Sequence, residues 1–179
     1  SDWNGLMIKY VDISSVGCGE FNTLPISMLY DEAPSRARRV VRKGDILIST
    51  VRPNRRSMIQ IINPQENMVA STGFALLRPK QTEDSDYIFG IISNKQFTLE
   101  LEMLAYGAAY PAVSTSDICR PLVYLPESIE RNKISKLLAP ISELIQSDGS
   151  EIIQDIISAL FRSWFIDFDP VKAKAKGKS

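Results

Sequence analysis

The run Gly44-Asp45-Ile46-Leu47-Ile48-Ser49-Thr50-Val51-Arg52-Pro53 reads as a strand with both ends marked. It is rich in β-branched residues, the Lys43-Gly44 turn launches it, and Pro53, which has no N–H to give a ladder, stops it. Outward from it, residues 7–13 alternate apolar and polar well enough for a strand. Residues 57–62 make another, closed by Asn63-Pro64, and residues 74–77 a fourth, closed by Pro79. Residues 122–125 read as a short fifth between Pro121 and Pro126. Between the fourth and the fifth, residues 86–93 and 95–105 carry apolar side chains at helical spacing. These elements predict an α+β class, with a strand-rich module over residues 1–126.

After Pro126 the pattern becomes helical, over residues 127–165. Ile134, Leu137, Leu138, Ile141, Leu144 and Ile145 make one apolar stripe, and Ile152, Ile156, Leu160 and Trp164 continue it. Pro140 is expected to split the region into two helices, because an interior proline removes a backbone bond and clashes with the preceding turn. Gly149 is a softer break. The second helix would run about 25 residues, near 37 Å at about 1.5 Å per residue. Ile153, Ile157 and Phe161 widen its stripe beyond what one small domain covers, so it reads as an arm packing on a partner helix; the alternative is a helix folded back on its own domain. The arm spans 127–168, and the lysine-rich end, 169–179, reads as a solvated tail.

The whole chain has 179 residues, 44% hydrophobic and 23% charged, which suits a globular protein with a real core. Lys+Arg and Asp+Glu are 21 each, so bulk charge draws no polyanion, and any such site must be a local patch. There is no histidine. That excludes Ser-His-Asp and Cys-His nucleophiles and histidine zinc sites from this chain, and Cys18 and Cys119 are too few for an all-cysteine site. No metal and no cofactor is expected. No apolar run reaches about 18 residues, the length a membrane span needs. Two cysteines without a leader peptide favour reduced thiols in the cytoplasm.

Charge is unevenly placed. Between positions 36 and 56 lie Arg36, Arg38, Arg39, Arg42, Lys43, Arg52, Arg55 and Arg56, against one acid, Asp45. Arginine's planar fork suits phosphate oxygens and the O6/N7 edge of guanine. Arg52-Pro53-Asn54-Arg55-Arg56 sharpens this: a strand ends at a proline and presents arginines with an asparagine, which can read adenine. Arg36, Arg38 and Arg39 would supply phosphate attraction. A second candidate loop, Ala105-Tyr106-Gly107-Ala108-Ala109-Tyr110-Pro111, offers Tyr106 and Tyr110 with small residues that admit a close backbone. The plain alternatives are solvated or paired arginines and tyrosines that cap the core.

Val11-Asp12-Ile13-Ser14-Ser15-Val16-Gly17-Cys18-Gly19-Glu20 has the glycines of a methyltransferase cofactor loop. Such a loop must open a helix, and Phe21-Asn22-Thr23-Leu24-Pro25 is a poor helix start. No Asn-Pro-Pro-Tyr motif and no G-x-x-x-x-G-K-[ST] loop occurs, so catalysis in this chain is not expected.

Several of these stretches together resemble the DNA-specificity subunit of type I restriction-modification systems. The 44–53 run resembles the strand and loop of a target recognition domain. Ser71-Thr72-Gly73-Phe74 and Gly107-Ala108-Ala109-Tyr110-Pro111-Ala112-Val113-Ser114 are similar to later segments of it. Leu160-Phe161-Arg162-Ser163-Trp164-Phe165-Ile166-Asp167-Phe168-Asp169-Pro170-Val171-Lys172-Ala173-Lys174 resembles the close of the family's conserved helical region. The resemblance covers most of the chain.

It implies a non-catalytic subunit that binds double-stranded DNA. In the family two recognition domains each read half of a split sequence. Two long helices form an antiparallel coiled coil between them and dock an adenine methyltransferase subunit, and a restriction and translocase subunit joins for cleavage. Against that pattern the chain is expected to hold one recognition domain, 1–126, beginning partway in, and one helical region: a half-length subunit or a fragment. Two copies could pair their helices antiparallel and read a palindromic target. Ile141, Leu144, Ile145, Ile152, Ile156, Leu160 and Trp164 would be the assembly surface. A protein-interaction adaptor without a nucleic-acid role is the competing class.

Overall fold

The structure is a computed structural model and describes Trp3, residues 5–148 and the single positions 159, 162, 163 and 172. Seven strands are placed in chain order: β1 (Met7–Val11), β2 (Ile26–Leu29), β3 (Ala37–Val40), β4 (Ile46–Ser49), β5 (Met58–Gln60), β6 (Met68–Ser71) and β7 (Phe74–Leu77). Four α-helices follow: α1 (Ser85–Ile92), α2 (Lys95–Leu104), α3 (Thr115–Ile118) and α4 (Ser128–Asp148). The described chain is thus α+β, as its pattern of runs predicts.

The strands form two sheets, ordered β2-β1-β6-β3 and β5-β4-β7. In the first, β1 pairs parallel with β6 and antiparallel with β2, and β3 closes the far edge on β6. The second is antiparallel throughout. β4 is its central strand, and all four of its residues are buried. Both of its faces are covered, which is why Ile46-Leu47-Ile48 is a continuous apolar run rather than an alternation. Leu47, with Ile59 and Phe74, packs towards Val11, Met68 and Ala70 of the other sheet. Ile46 and Ile48, with Met58 and Ala75, pack under Phe89, Ile92, Phe97 and Leu101 of the helices. The order of layers is sheet, sheet, helices.

The strands expected at 7–13, 44–53, 57–62 and 74–77 and the helices expected at 86–93 and 95–105 are all present, trimmed at their ends. Two expectations are corrected. Residues 122–125 are not a strand: Leu122 is 99% exposed and the segment has no ladder partner among the described residues. It is an extended connector, held where the Tyr87 hydroxyl donates to the Tyr124 carbonyl at 2.8 Å. An apolar run between prolines needs a neighbouring strand to pair with before it becomes one.

The second correction is Pro140, which lies inside a continuous α4 instead of dividing two helices. Proline takes away the bond to the carbonyl four residues earlier, here Lys136. Both positions are exposed, so water can take that carbonyl. The helical reading beyond Asp148, including Gly149, and the tail lie outside the described residues, apart from those single positions.

α4 also folds back on its own module as far as Ile145. Ile134 and Leu138 pack with Tyr87 and Ile91 of α1. Ile145, placed above in the assembly stripe, is 5% exposed. A Cβ built on Gly19 would lie 3.1 Å from it. Arg131 fastens the start of the helix: its Nε and Nη2 donate to Asp84 at 2.7 and 2.9 Å, and its Nη1 to the Pro126 carbonyl at 2.6 Å.

Candidate DNA-recognition site

Beyond the end of β4 the chain leaves the sheet at Val51 and enters a single 3-10 turn, Pro53–Arg55. Arg52 and Arg56, which flank the turn, both have left-handed backbones, with φ of 51° and 52°. Such values are uncommon outside glycine. The neighbouring backbone holds them: the Arg52 amide donates to the Pro111 carbonyl at 2.7 Å, and the Arg56 amide to Pro53 at 2.9 Å. Val51 bridges Ala112, Tyr106 bridges Ala112 in turn, and the Val113 amide donates to Thr50 at 2.8 Å. The two candidate loops are therefore one construction. Tyr110 is carried over Arg52, whose guanidinium carbon lies 4.5 Å from the ring centroid.

Arg52, Arg55, Ser57 and Tyr110 line an open cleft of about 480 Å³ together with Asp12, Ser14, Gly17 and Asn22. The latter four come from the glycine-bearing segment after β1. That segment forms a short 3-10 turn, Ile13–Ser15, capped by the Asp12 side chain, rather than the start of a long helix. Its glycine spacing serves close packing: a Cβ on Gly17 would meet the Asn22 Oδ1 at 2.7 Å. Asp12, Ser14 and Asn22 are not among the DNA contacts that the charge pattern predicts. Counting cations does not find them, because their place in the site comes from the parallel pairing of β1 with β6, which no local pattern encodes.

The named arginines have separate environments. Arg36 joins the cleft through Asp12: its Nη2 donates to the Asp12 Oδ2 at 2.8 Å and its Nε to the Tyr10 hydroxyl at 3.0 Å. Burial alone would raise the Asp12 carboxyl. Hydrogen bonds from the Ser14 amide and hydroxyl and from Tyr10, with the charge of Arg36, outweigh it and hold that group below its ordinary value. Arg38 lies over the Tyr30 ring at 5.3 Å and donates to the Ala37 carbonyl at 2.8 Å. Arg39 is half-buried, with an Nε that has no hydrogen-bond partner among the described residues. Arg56 turns inward, and its Nη2 donates to the Ser93 carbonyl, just past the end of α1, at 2.5 Å. Asn54 and Arg55 are exposed at the tip, and Tyr106 is exposed beside it.

Asp45, the one acid of the cluster, is fully buried. It accepts from Arg78 Nε and Nη2, both at 2.7 Å, and from the Arg42 amide at 2.7 Å. It therefore neutralises Arg78, an arginine outside the run. Of the assembly residues, Ile141 is half-buried and Leu144 exposed, while Ile152, Ile156, Leu160 and Trp164 lie outside the described residues.

The described residues thus form an arginine-bearing cleft beyond the end of β4. No family model matches the chain. It is 27% identical over 177 residues, 96% of its own length, to the HindI type I restriction enzyme specificity subunit of Haemophilus influenzae. It is 28% identical over 137 residues, 75% of its length, to the MjaIX specificity subunit of Methanocaldococcus jannaschii. Two solved structures share the fold over 78% of the chain at 28% identity. One is the HsdS subunit from Thermoanaerobacter tengcongensis, with a TM-score of 0.64. The other comes from work on complex assembly and conformational transition of the type I R-M system, with a TM-score of 0.63. The chain spans 38% and 31% of the two curated relatives and 37% and 38% of the two solved chains. The resemblance to type I specificity subunits therefore holds in both sequence and fold.

Proposed function

We propose that the chain is the DNA-reading part of a non-catalytic type I specificity subunit, acting in the cytoplasm with an adenine methyltransferase subunit and a restriction and translocase subunit. The observation that carries it is the cleft. Arg52 and Arg55 line it together with Ser14 and Asn22, and these residue types contact phosphates and read base edges. Residues 1–126 would be the recognition domain and 127–168 the helical region. Ile129, Leu137 and Leu144 are exposed on one flank of α4, with Leu137 and Leu144 seven residues apart. That spacing is what a coiled-coil partner meets. The assembly seam is thus this flank, beside the inward Ile134, Leu138 and Ile145.

A methylation map of the source genome, with the gene intact and deleted, tests the reading. Loss of one split adenine-methylated motif is expected; an unchanged map together with salt-independent DNA retention favours an adaptor, because phosphate contacts release counterions and steepen the salt dependence. Antiparallel pairing of two copies through the helical region predicts a palindromic motif and a dimer in sedimentation. A strict monomer would remove the pairing and leave the recognition role standing.

A further inference from the structure

We infer that Arg52 reads a guanine in the cleft and that Tyr110 is the positioning residue that sets the plane of its guanidinium; this rests on the DNA-recognition reading above. The Arg52 backbone is held left-handed at φ 51° although Pro53 follows it. A residue before proline is normally pushed to extended backbone. Such conformations persist where the surroundings over-determine them, and they gather at functional sites. Here the bond to the Pro111 carbonyl and the Val51–Ala112 bridge hold it.

The Arg52 guanidinium carbon lies over the Tyr110 ring at 4.5 Å, a contact that spends none of its N–H groups on a hydrogen bond. Among the described residues the Arg52 guanidinium has no hydrogen-bond or ion-pair partner, whereas Arg36 and Arg56 spend donors on Asp12 and Ser93. A flat fork with free donors matches guanine O6 and N7. Tyr110 is 69% exposed, so its ring does little for the core. Its place is set by the turn at Gly107, where a Cβ would come within 2.9 Å of the Tyr110 carbonyl.

The test is selection from a pool of random duplexes by the 179-residue chain and by Tyr110→Ala, Tyr110→Phe and Arg52→Lys. The unaltered chain should enrich a motif containing a guanine. Tyr110→Ala and Arg52→Lys should each lose preference at that position by about 5- to 150-fold, the worth of a bidentate pair, with other positions intact. Tyr110→Phe, which keeps the ring face, should keep the guanine. Thermal unfolding should be nearly unchanged in the Tyr110 variants, so lost discrimination is separable from lost fold. A motif that survives Tyr110→Ala, or weakens evenly at every position, overturns the assignment while leaving DNA recognition intact. No enriched motif from the unaltered chain overturns the recognition reading as well.

Discussion

Arg36, Arg52 and Arg56 lie in one charge cluster in the sequence, yet they do three different things. Arg36 is spent on a carboxylate, Arg56 on the backbone past the end of α1, and Arg52 on a ring that leaves its donors free. Asp45 shows the same limit from the acidic side. It looks like the lone counter-charge of the cluster, but Arg78 of β7's end and the Arg42 amide take all of it. Asp45→Ala takes the acceptor from a turn amide and the partner from Arg78, whose side chain is itself exposed, and should cost about 2 kcal/mol in chemical denaturation. Arg38→Ala, at an exposed residue, should leave stability alone and weaken binding to every DNA sequence alike. Asn54→Ala, at the exposed tip, should instead change which sequences are preferred. Equal effects of the two on all sequences would contradict that division.

Among the elements, α4 matters most. Its inner face is apolar at Ile134, Leu138 and Ile145, but it also covers a buried polar group. Gln60 Nε2 donates to the Ser85 hydroxyl and to Asp86, each at 3.0 Å, and Gln146 donates to the Gln60 carbonyl at 2.6 Å. Ile145→Ala should destabilise the module by about 3 kcal/mol, as buried large-to-small changes do. Gly19→Ala should also destabilise it, since its φ of +91° suits glycine and its Cβ would press on Ile145.

Asp86 makes the same interface sensitive to pH. Burial, the largest cause, raises its carboxyl above the ordinary 3.8, against hydrogen bonds from Gln60 and Ser142 and with some help from Glu143. A raised value in the folded state means a contribution present below pH 3.8 and lost as pH rises through the folded value. Asp86→Asn, which keeps the oxygen that Gln60 meets, should therefore gain stability relative to the parent as pH climbs from the acid side to neutrality. Denaturant midpoints taken across that range check it. Asp12, held low, acts in the opposite sense, and its contribution fades as pH falls.

At the scale of the molecule, zero net charge and a local basic cleft predict a particular salt behaviour. DNA affinity should fall with rising salt, and each lost phosphate contact should lower the logarithmic slope by about one. Arg55→Ala should show that reduction. Arg56→Ala should not, because that side chain is committed to Ser93; it should lower thermal stability instead. Equilibrium binding over a salt series separates the two.

The amino-acid sequence by itself determined the class and most elements, because strand and helix periods, β-branched runs and prolines act over a few residues. The run at 44–53 was enough to mark the central strand, and the change after Pro126 enough to mark α4. It also placed the loops at 52–56 and 105–111. Three strands escaped it: β2 and β3 are largely exposed edge strands with weak alternation, and β6, buried throughout, has none. Only the tertiary structure decided that Tyr110 sits on Arg52, that the glycine-bearing segment walls the cleft, and that Ile145 turns inward. Those outcomes depend on pairings between distant segments, such as β1 with β6 and Val51 with Ala112. Such pairings are won by burying shared surface, and no local pattern of residues carries them.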